Sequence, residues 1–211
     1  MKRIHALALL AAVITVSGCT STTQSNTGQF ELLVSDRPAD IDKFDYLNVG
    51  FSHARIFVSN NSTVEVKQIS LENTSMVDLT QLQNESAESL VNTTLEAGNY
   101  SKIELYTETV NASVNGSSVE VKVPPGKLMI TKPFTVRPNE TTSFVFDIQV
   151  VLRGNQQNNQ GYILKPVISE SGVVGKDIEV DRKSTQAGNQ AQQPPTNTTP
   201  QGNQGPPQRR P

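Results

Sequence analysis

The sequence predicts an all-β fold: a single β-sandwich-like domain of about nine short strands, flanked by two segments unable to form a core. Three observations point there. Runs in which apolar and polar residues alternate recur from Phe30 to Val180, the period of a strand with one buried face. Clusters of Asn, Gly, Pro and Ser separate those runs, and each of these residue types favours a chain reversal for its own stereochemical reason. Helical spacing of apolar residues is scarce; the best candidate is Asn84 to Val91, enough for a turn or two of helix.

The elements follow in order. Phe30, Leu32 and Val34 share one face of the first predicted strand. In the next, Tyr46, Asn48 and Gly50 alternate with Leu47, Val49 and Phe51. Ala54 to Val58 and Thr63 to Ile69 flank Ser59-Asn60-Asn61-Ser62, which reads as a hairpin loop. Tyr100 to Val110 and Ser118 to Val123 flank a second hairpin, whose turn pair Asn115-Gly116 tolerates positive φ at both positions. Phe134 to Val136, Ser143 to Leu152, Tyr162 to Ile168 and Lys176 to Val180 complete the series. Between them, Asp36 before Arg37-Pro38 is placed to accept backbone amides in a turn, and Gly98 suits a left-handed turn into Tyr100. Pro124-Pro125-Gly126 stops a strand, and Pro166 marks an edge or a bulge, because proline cannot donate to a ladder. Tyr162 is expected to pack one ring face and keep its hydroxyl wet.

Both ends of the chain differ from this middle. Lys2 and Arg3 precede an apolar run from Ala6 to Val16, broken only by Thr15. A membrane-spanning helix needs roughly 20 residues, so the run fits the core of a cleavable signal peptide at 1–18. It ends in Val16-Ser17-Gly18-Cys19, which resembles the lipobox of prokaryotic lipoproteins, where the Cys is lipidated and becomes the new N-terminus. Residues 19–28 then form a lipidated flexible tether, since Thr20 to Gly28 has nothing to pack. At the other end, Ser184 to Pro211 holds six Pro, seven Gln, three Asn and three Gly in 28 residues. That composition cannot bury enough surface to offset the entropy of ordering, so 184–211 reads as a disordered tail, either a solvated end or a reach through a surface layer. The folded domain is placed at 29–183.

Composition excludes several functions. The 211 residues carry 18 Lys+Arg against 20 Asp+Glu, 35% hydrophobic and 5% aromatic residues, no Trp and one Cys. Within 29–183 there are 14 basic and 20 acidic residues, a net charge of −6. Such a surface does not attract nucleic acid. One Cys rules out an intramolecular disulfide framework and a Cys-rich zinc site.

The middle of the chain also carries an ordered set of short motifs. Ser35-Asp36-Arg37-Pro38-Ala39-Asp40 is followed by Val77-Asp78-Leu79, Leu95-Glu96-Ala97-Gly98-Asn99-Tyr100 and Val123-Pro124-Pro125-Gly126. Phe146-Asp147-Ile148 and Tyr162-Ile163-Leu164-Lys165-Pro166-Val167-Ile168 close the set. This order resembles the domain-of-unknown-function 4382 family of archaeal and bacterial surface lipoproteins, over about residues 29–169. The resemblance implies a β-rich extracellular domain. It implies no activity, and no catalytic residue carries over.

The sequence Asn-X-Ser/Thr, with X not Pro, occurs at Asn60, Asn61, Asn73, Asn84, Asn92, Asn99, Asn111, Asn115, Asn139 and Asn197. From 17 Asn and 39 Ser+Thr, chance predicts about 3. The excess points to dense N-glycosylation of an exported domain. Asn60 and Asn61 are adjacent and compete, and Asn99 is crowded by the strand that starts at Tyr100. A lipobox with enriched acceptor sites suggests an archaeal cell-surface protein. A weaker candidate is the acidic group Asp36, Asp40, Asp42 and Asp45, whose oxygens suit Ca²⁺ but lack the spacing of an EF-hand loop. Arg37 and Lys43 can neutralise it, so a solvated turn is the preferred reading, with no metal or other cofactor assigned. His53 is the only His of the mature chain and has no nucleophile motif beside it.

The sequence therefore points to a non-enzymatic, lipid-anchored, N-glycosylated surface module on the outer face of the cell membrane, with a structural, adhesion or ligand-binding role. Its expected partners are the membrane, through lipidated Cys19, and a cell-envelope polymer or surface-layer component, but not nucleic acid. The alternative is a solute- or metal-binding lipoprotein associated with a transporter. A hydrolase lacks candidate residues.

Overall fold

A computed structural model describes residues 26–36, 40–59, 65–71, 76–83, 86–155 and 158–182, without the side chains of 155, 158–160 and 182. The signal segment with Cys19, most of the tether, the 184–211 tail, the Arg37-Pro38-Ala39 turn, and Asn60, Asn61, Asn73, Asn84 and Asn197 lie outside the described residues. Two sheets pack face to face as a β-sandwich.

The strands are β1 (Thr27–Asp36), β2 (Tyr46–Val58), β3 (Val66–Ser70), β4 (Val77–Asp78), β5 (Ser86–Glu96), β6 (Gly98–Val114) and β7 (Ser117–Ser118). They continue as β8 (Val121–Lys122), β9 (Lys127–Ile130), β10 (Phe134–Val136), β11 (Thr141–Asn155), β12 (Asn158–Pro166), β13 (Gly172–Val173) and β14 (Asp181–Arg182). The first sheet runs β14-β5-β1-β11-β12-β8, with β13 also on β11. The second runs β10-β6-β2-β3, with β4 on β2 and both β7 and β9 on β6. β1 pairs antiparallel with β5 and parallel with β11, so the N-terminal strand lies in the middle of its sheet.

The inner faces hold the apolar residues that alternation predicts. Phe30, Leu32 and Val34 of β1 and Phe144, Phe146, Ile148 and Val150 of β11 are fully buried. They meet Leu47, Val49, Ile56, Ile103 and Leu105 of the second sheet. Phe134 sits where the sheets converge: its ring lies 5.4 Å from Phe30, 5.2 Å from Tyr100 and 5.1 Å from Phe144. The Tyr100 hydroxyl donates to the Glu96 carbonyl at 2.8 Å and fixes the corner at which β5 of one sheet becomes β6 of the other.

Several expectations are corrected. There are fourteen strands among the described residues, three of them 13 to 17 residues long, in place of about nine short ones. Tyr46–Phe51 and Ala54–Val58 are one strand, interrupted by register shifts around Ser52. The extra residue moves the buried set from odd to even positions, which alternation alone reads as a break between two strands. The helical stretch at 84–91 is overturned: from Ser86 onward it is β5, because Thr27 to Ser35 offers it a ladder partner. Gly98 is not left-handed; it lies in β6 opposite Val136, and Ala97 alone makes the link. Lys176–Val180 is no strand, only a tight reversal closed by a bridge from Val174 to Ile178. β1 begins at Thr27, inside the expected tether. A Cβ on Gly28 would lie 2.2 Å from the Arg137 carbonyl oxygen, so only glycine admits that approach. Asn115 (φ 50°) and Gly116 (φ 73°) form the predicted turn, and Pro166 ends β12 beyond the reach of β8, as a residue without an N–H requires.

The outer face of the first sheet is covered by the chain itself. After Pro166, residues 167–182 double back, and Val174, Ile178 and Val180 pack over a small second core of Leu33, Ala87 and Val145. Ser171, fully buried, pins this arm: its hydroxyl accepts from the Asp147 amide at 2.9 Å and donates to the Val167 carbonyl at 2.7 Å. A chain ending at Pro166 re-exposes Leu33, Val145 and Ala87. Its urea midpoint is expected to fall by an amount equivalent to roughly 3–6 kcal/mol; an unchanged midpoint would show that the arm contributes nothing to the fold.

Candidate surface site on the second sheet

The outer face of the second sheet has no such cover among the described residues. The shift around Ser52 turns His53, Arg55 and Phe57 outward. The ladder registers then align them in rows across β3, β2, β6 and β9: Ser70, His53, Tyr106 and Lys127 in one row, and Gln68, Arg55, Glu104 and Met129 in the next. Val66, Phe57 and Lys102 form a third.

Glu104 is the centre of this face. Its side chain is only 4% exposed, whereas those of Arg55, Lys102 and Lys127 are 35%, 25% and 27% exposed, so the cations reach water and the carboxylate does not. Lys102 Nζ and Lys127 Nζ each lie 3.0 Å from Glu104 Oε1. Arg55 Nη1 lies 3.5 Å from Oε2, and the Tyr106 hydroxyl donates to Oε2 at 3.1 Å. That hydroxyl accepts in turn from Arg55 at 3.2 Å and Lys127 at 3.3 Å. Burial pushes the Glu104 carboxyl up, but the hydrogen bonds from Lys102, Lys127 and Tyr106 outweigh it and hold it at about 2. The same contacts raise Lys127 and Arg55 above their ordinary values, led by the Glu104 bond to the first and the Tyr106 bond to the second. The rings are engaged as well: His53 stacks on Tyr106 at 4.2 Å, and the Lys102 ammonium sits 3.6 Å from the centre of Phe57. Three cations around one carboxylate leave a local excess of +2 on a domain of net −6.

The acidic group read from the sequence does not gather into one site: Asp36 and Asp42 lie near enough for their charges to interact, while Asp40 and Asp45 are engaged elsewhere. Asp40 pairs with Lys43 and accepts the Leu152 amide at 2.7 Å. Asp45 caps the Asn115-Gly116 hairpin, accepting from the Gly116 amide and the Ser113 hydroxyl, each at 2.8 Å. Asp42 is exposed. Asp36 is buried, its carboxylate oxygens have no hydrogen-bond partner among the described residues, and the turn it was expected to cap lies outside them. Among the described residues, no three His, Cys, Asp or Glu side chains are placed to hold a metal ion. His53 has its ring against Tyr106 and its Nδ1 3.0 Å from the Ser52 hydroxyl. The five described sequon residues Asn92, Asn99, Asn111, Asn115 and Asn139 are all exposed, and Asn99 Oδ1 accepts from the Thr135 hydroxyl at 2.8 Å.

The sequence reading missed the Glu104 cluster and the burial of Asp36. Arg55, Lys102, Glu104, Tyr106 and Lys127 come from three strands up to 72 positions apart in the chain, and only the registers of β2, β6 and β9 join them. The one available signal was that Lys102, Glu104 and Tyr106 alternate along a strand, polar on every second position. The short motifs, in contrast, do meet. Ser35 donates to Asp147 at 2.6 Å across the β1–β11 ladder, and Asp78 caps a single 3₁₀ turn (Leu79–Gln81) by accepting from the Thr80 amide at 3.1 Å.

Residues 27–166 match the model of a family described as a domain of unknown function (DUF4382). The match covers well over half of the chain, and the chain belongs to that family. No curated protein and no solved structure matches it.

Two buried carboxyls give the stability a predictable pH dependence. Burial, with the like charges of Asp147 and Asp42 adding to it, pushes Asp36 from its ordinary 3.8 up to about 8. A raised carboxyl contributes stability that is complete below 3.8 and is lost as pH rises towards 8, at about 1.4 kcal/mol per pH unit. Glu104 runs the other way: its contribution is present above 4.5 and is lost as pH falls towards 2. Urea unfolding of wild type and Asp36→Asn at pH 5, 6 and 7 is expected to show the difference between them shrinking, or turning in favour of Asn, at about that rate. A difference that stays constant with pH would show that Asp36 is ionised in the fold.

Proposed function

We propose that this DUF4382 domain is an exported, lipid-anchored and N-glycosylated surface module that acts without enzymatic chemistry, holding a component of the cell envelope against the outer face of its second sheet. The observation that carries this reading is the asymmetry of the sandwich. One outer face is sealed by residues 167–182, while the other presents three cations in a fixed array. Buried Glu104 organises them, and a side chain spent on neutralising three neighbours is not a general base. Two features support export. The Cys19 motif follows an apolar run of signal-peptide length, and every described sequon Asn is exposed where a glycan can be attached. An archaeal cell surface fits both.

Lipid on Cys19 anchors the mature chain, because two or three long acyl or isoprenoid chains hold a protein where one does not. In fractionated cells the wild type is expected in the membrane fraction and Cys19→Ser in the medium, or retained as unprocessed precursor. Mature protein that stays membrane-bound after Cys19→Ser would refute the anchor. For surface contact, the full chain in detergent is expected to sediment with isolated cell envelopes, and Lys102→Ala with Lys127→Ala to remain in the supernatant. Equal sedimentation of both would place the contact elsewhere.

A further inference from the structure

We infer that the three-cation face around Glu104 binds an acidic polysaccharide, a glycan whose sugars carry carboxylate groups. The inference rests on the surface-contact reading and adds the chemistry of the partner. Arg55, Lys102 and Lys127 stand on adjacent strands β2, β6 and β9, and all three converge on the one carboxylate. Their side chains are already fixed by Glu104, Tyr106 and Phe57, so little rotamer freedom is lost when an anion docks. One charge of three is neutralised internally, and the remaining two match an anionic ligand, with the guanidinium able to grip a carboxylate in two places. Gln68, exposed on the same face, offers its amide group to sugar hydroxyls.

Other polyanions fit less well. Single-stranded nucleic acid needs open aromatic planes for its bases, yet Tyr106 is covered by His53 and Phe57 by Lys102. A lipid surface needs apolar insertion, and Met129 is the only exposed large hydrophobic of these rows. A further observation supports a face kept clear for a partner. Of the ten sequons, none falls within residues 53–57, 66–70, 102–106 or 127–130, the four strand segments that build it.

The test is affinity electrophoresis of the full chain in detergent, through gels containing sodium polygalacturonate, neutral dextran or a thymidine oligonucleotide. Retardation by polygalacturonate alone is expected, weakening about tenfold as salt rises from low to several hundred millimolar, as exposed charge contacts do. Lys102→Ala with Lys127→Ala is expected to weaken binding by roughly tenfold or more. Because that pair also loosens Glu104, Gln68→Glu is the second variant. It sets a carboxylate directly across from Arg55 while leaving Lys102, Glu104, Tyr106 and Lys127 in place, and is expected to weaken binding severalfold, whereas Gln68→Lys strengthens it. Retardation by dextran as strong as by polygalacturonate, stronger retardation by the oligonucleotide, or binding indifferent to Gln68→Glu and Gln68→Lys would each overturn the proposal. Sedimentation with envelopes, lost in the Lys102/Lys127 variant but accompanied by no polygalacturonate binding, would overturn the glycan class and leave the surface-contact reading standing.

Discussion

The structure depends on the wedge that Phe134 drives between the two sheets. Its ring touches Phe30 and Phe144 from one sheet and Tyr100 from the other, so it joins the start of β1, the start of β11 and the start of β6. Aromatic rings at these separations contribute beyond the area they bury. The consequences spread outwards from this end of the sandwich. Tyr100, held by the ring stack, turns its hydroxyl to Glu96 and sets the corner between sheets. Gly28 permits the Arg137 carbonyl to close in on β1. With that end fixed, β1 is held between β5 and β11, and these two strands take their register from it.

The shift at Ser52 decides what the second sheet shows to solvent. Upstream, Leu47, Val49 and Phe51 face the core; downstream, Ala54 and Ile56 do. One extra residue thereby turns His53, Arg55 and Phe57 outward, because a strand has a side-chain period of two. Burying Glu104 beneath them carries a desolvation cost that only several donors can offset, and four are present: Arg55, Lys102, Tyr106 and Lys127. The result is a rigid cationic array. An unconstrained set of lysines would be mobile and singly solvated.

The first sheet resolves the same problem of a second face differently. Its outer side carries Leu33 and Val145 beside Glu31, Ser143, Ser35 and Asp147, and the arm closes over this mixture. Ser143 donates to Glu31 at 2.7 Å and Ser35 to Asp147 at 2.6 Å, so these acids sit within hydrogen-bonded pairs. Asp36 is the exception: burial, with the like charges of Asp147 and Asp42 adding to it, pushes its carboxyl far above the usual carboxylate range. The arm lies beyond the residues that match the family model, yet it completes the second core.

The sequence by itself determined the class of fold, the inner faces of β1 and β11, the Asn115-Gly116 turn and the strand stops at Pro125 and Pro166. Each of these is written in a few adjacent residues, through side-chain alternation or a fixed backbone preference, and the family resemblance rests on motifs of the same local kind. Tertiary structure alone decided the rest. The segment 86–91 became strand because β1 supplies a partner, and Asp36, Asp40, Asp42 and Asp45, close in sequence, went to four different surroundings. Arg55, Glu104 and Lys127 came together from distant positions. Ladder register is set by how whole faces pack, and a cluster whose members meet only through register leaves no pattern in the order of the chain.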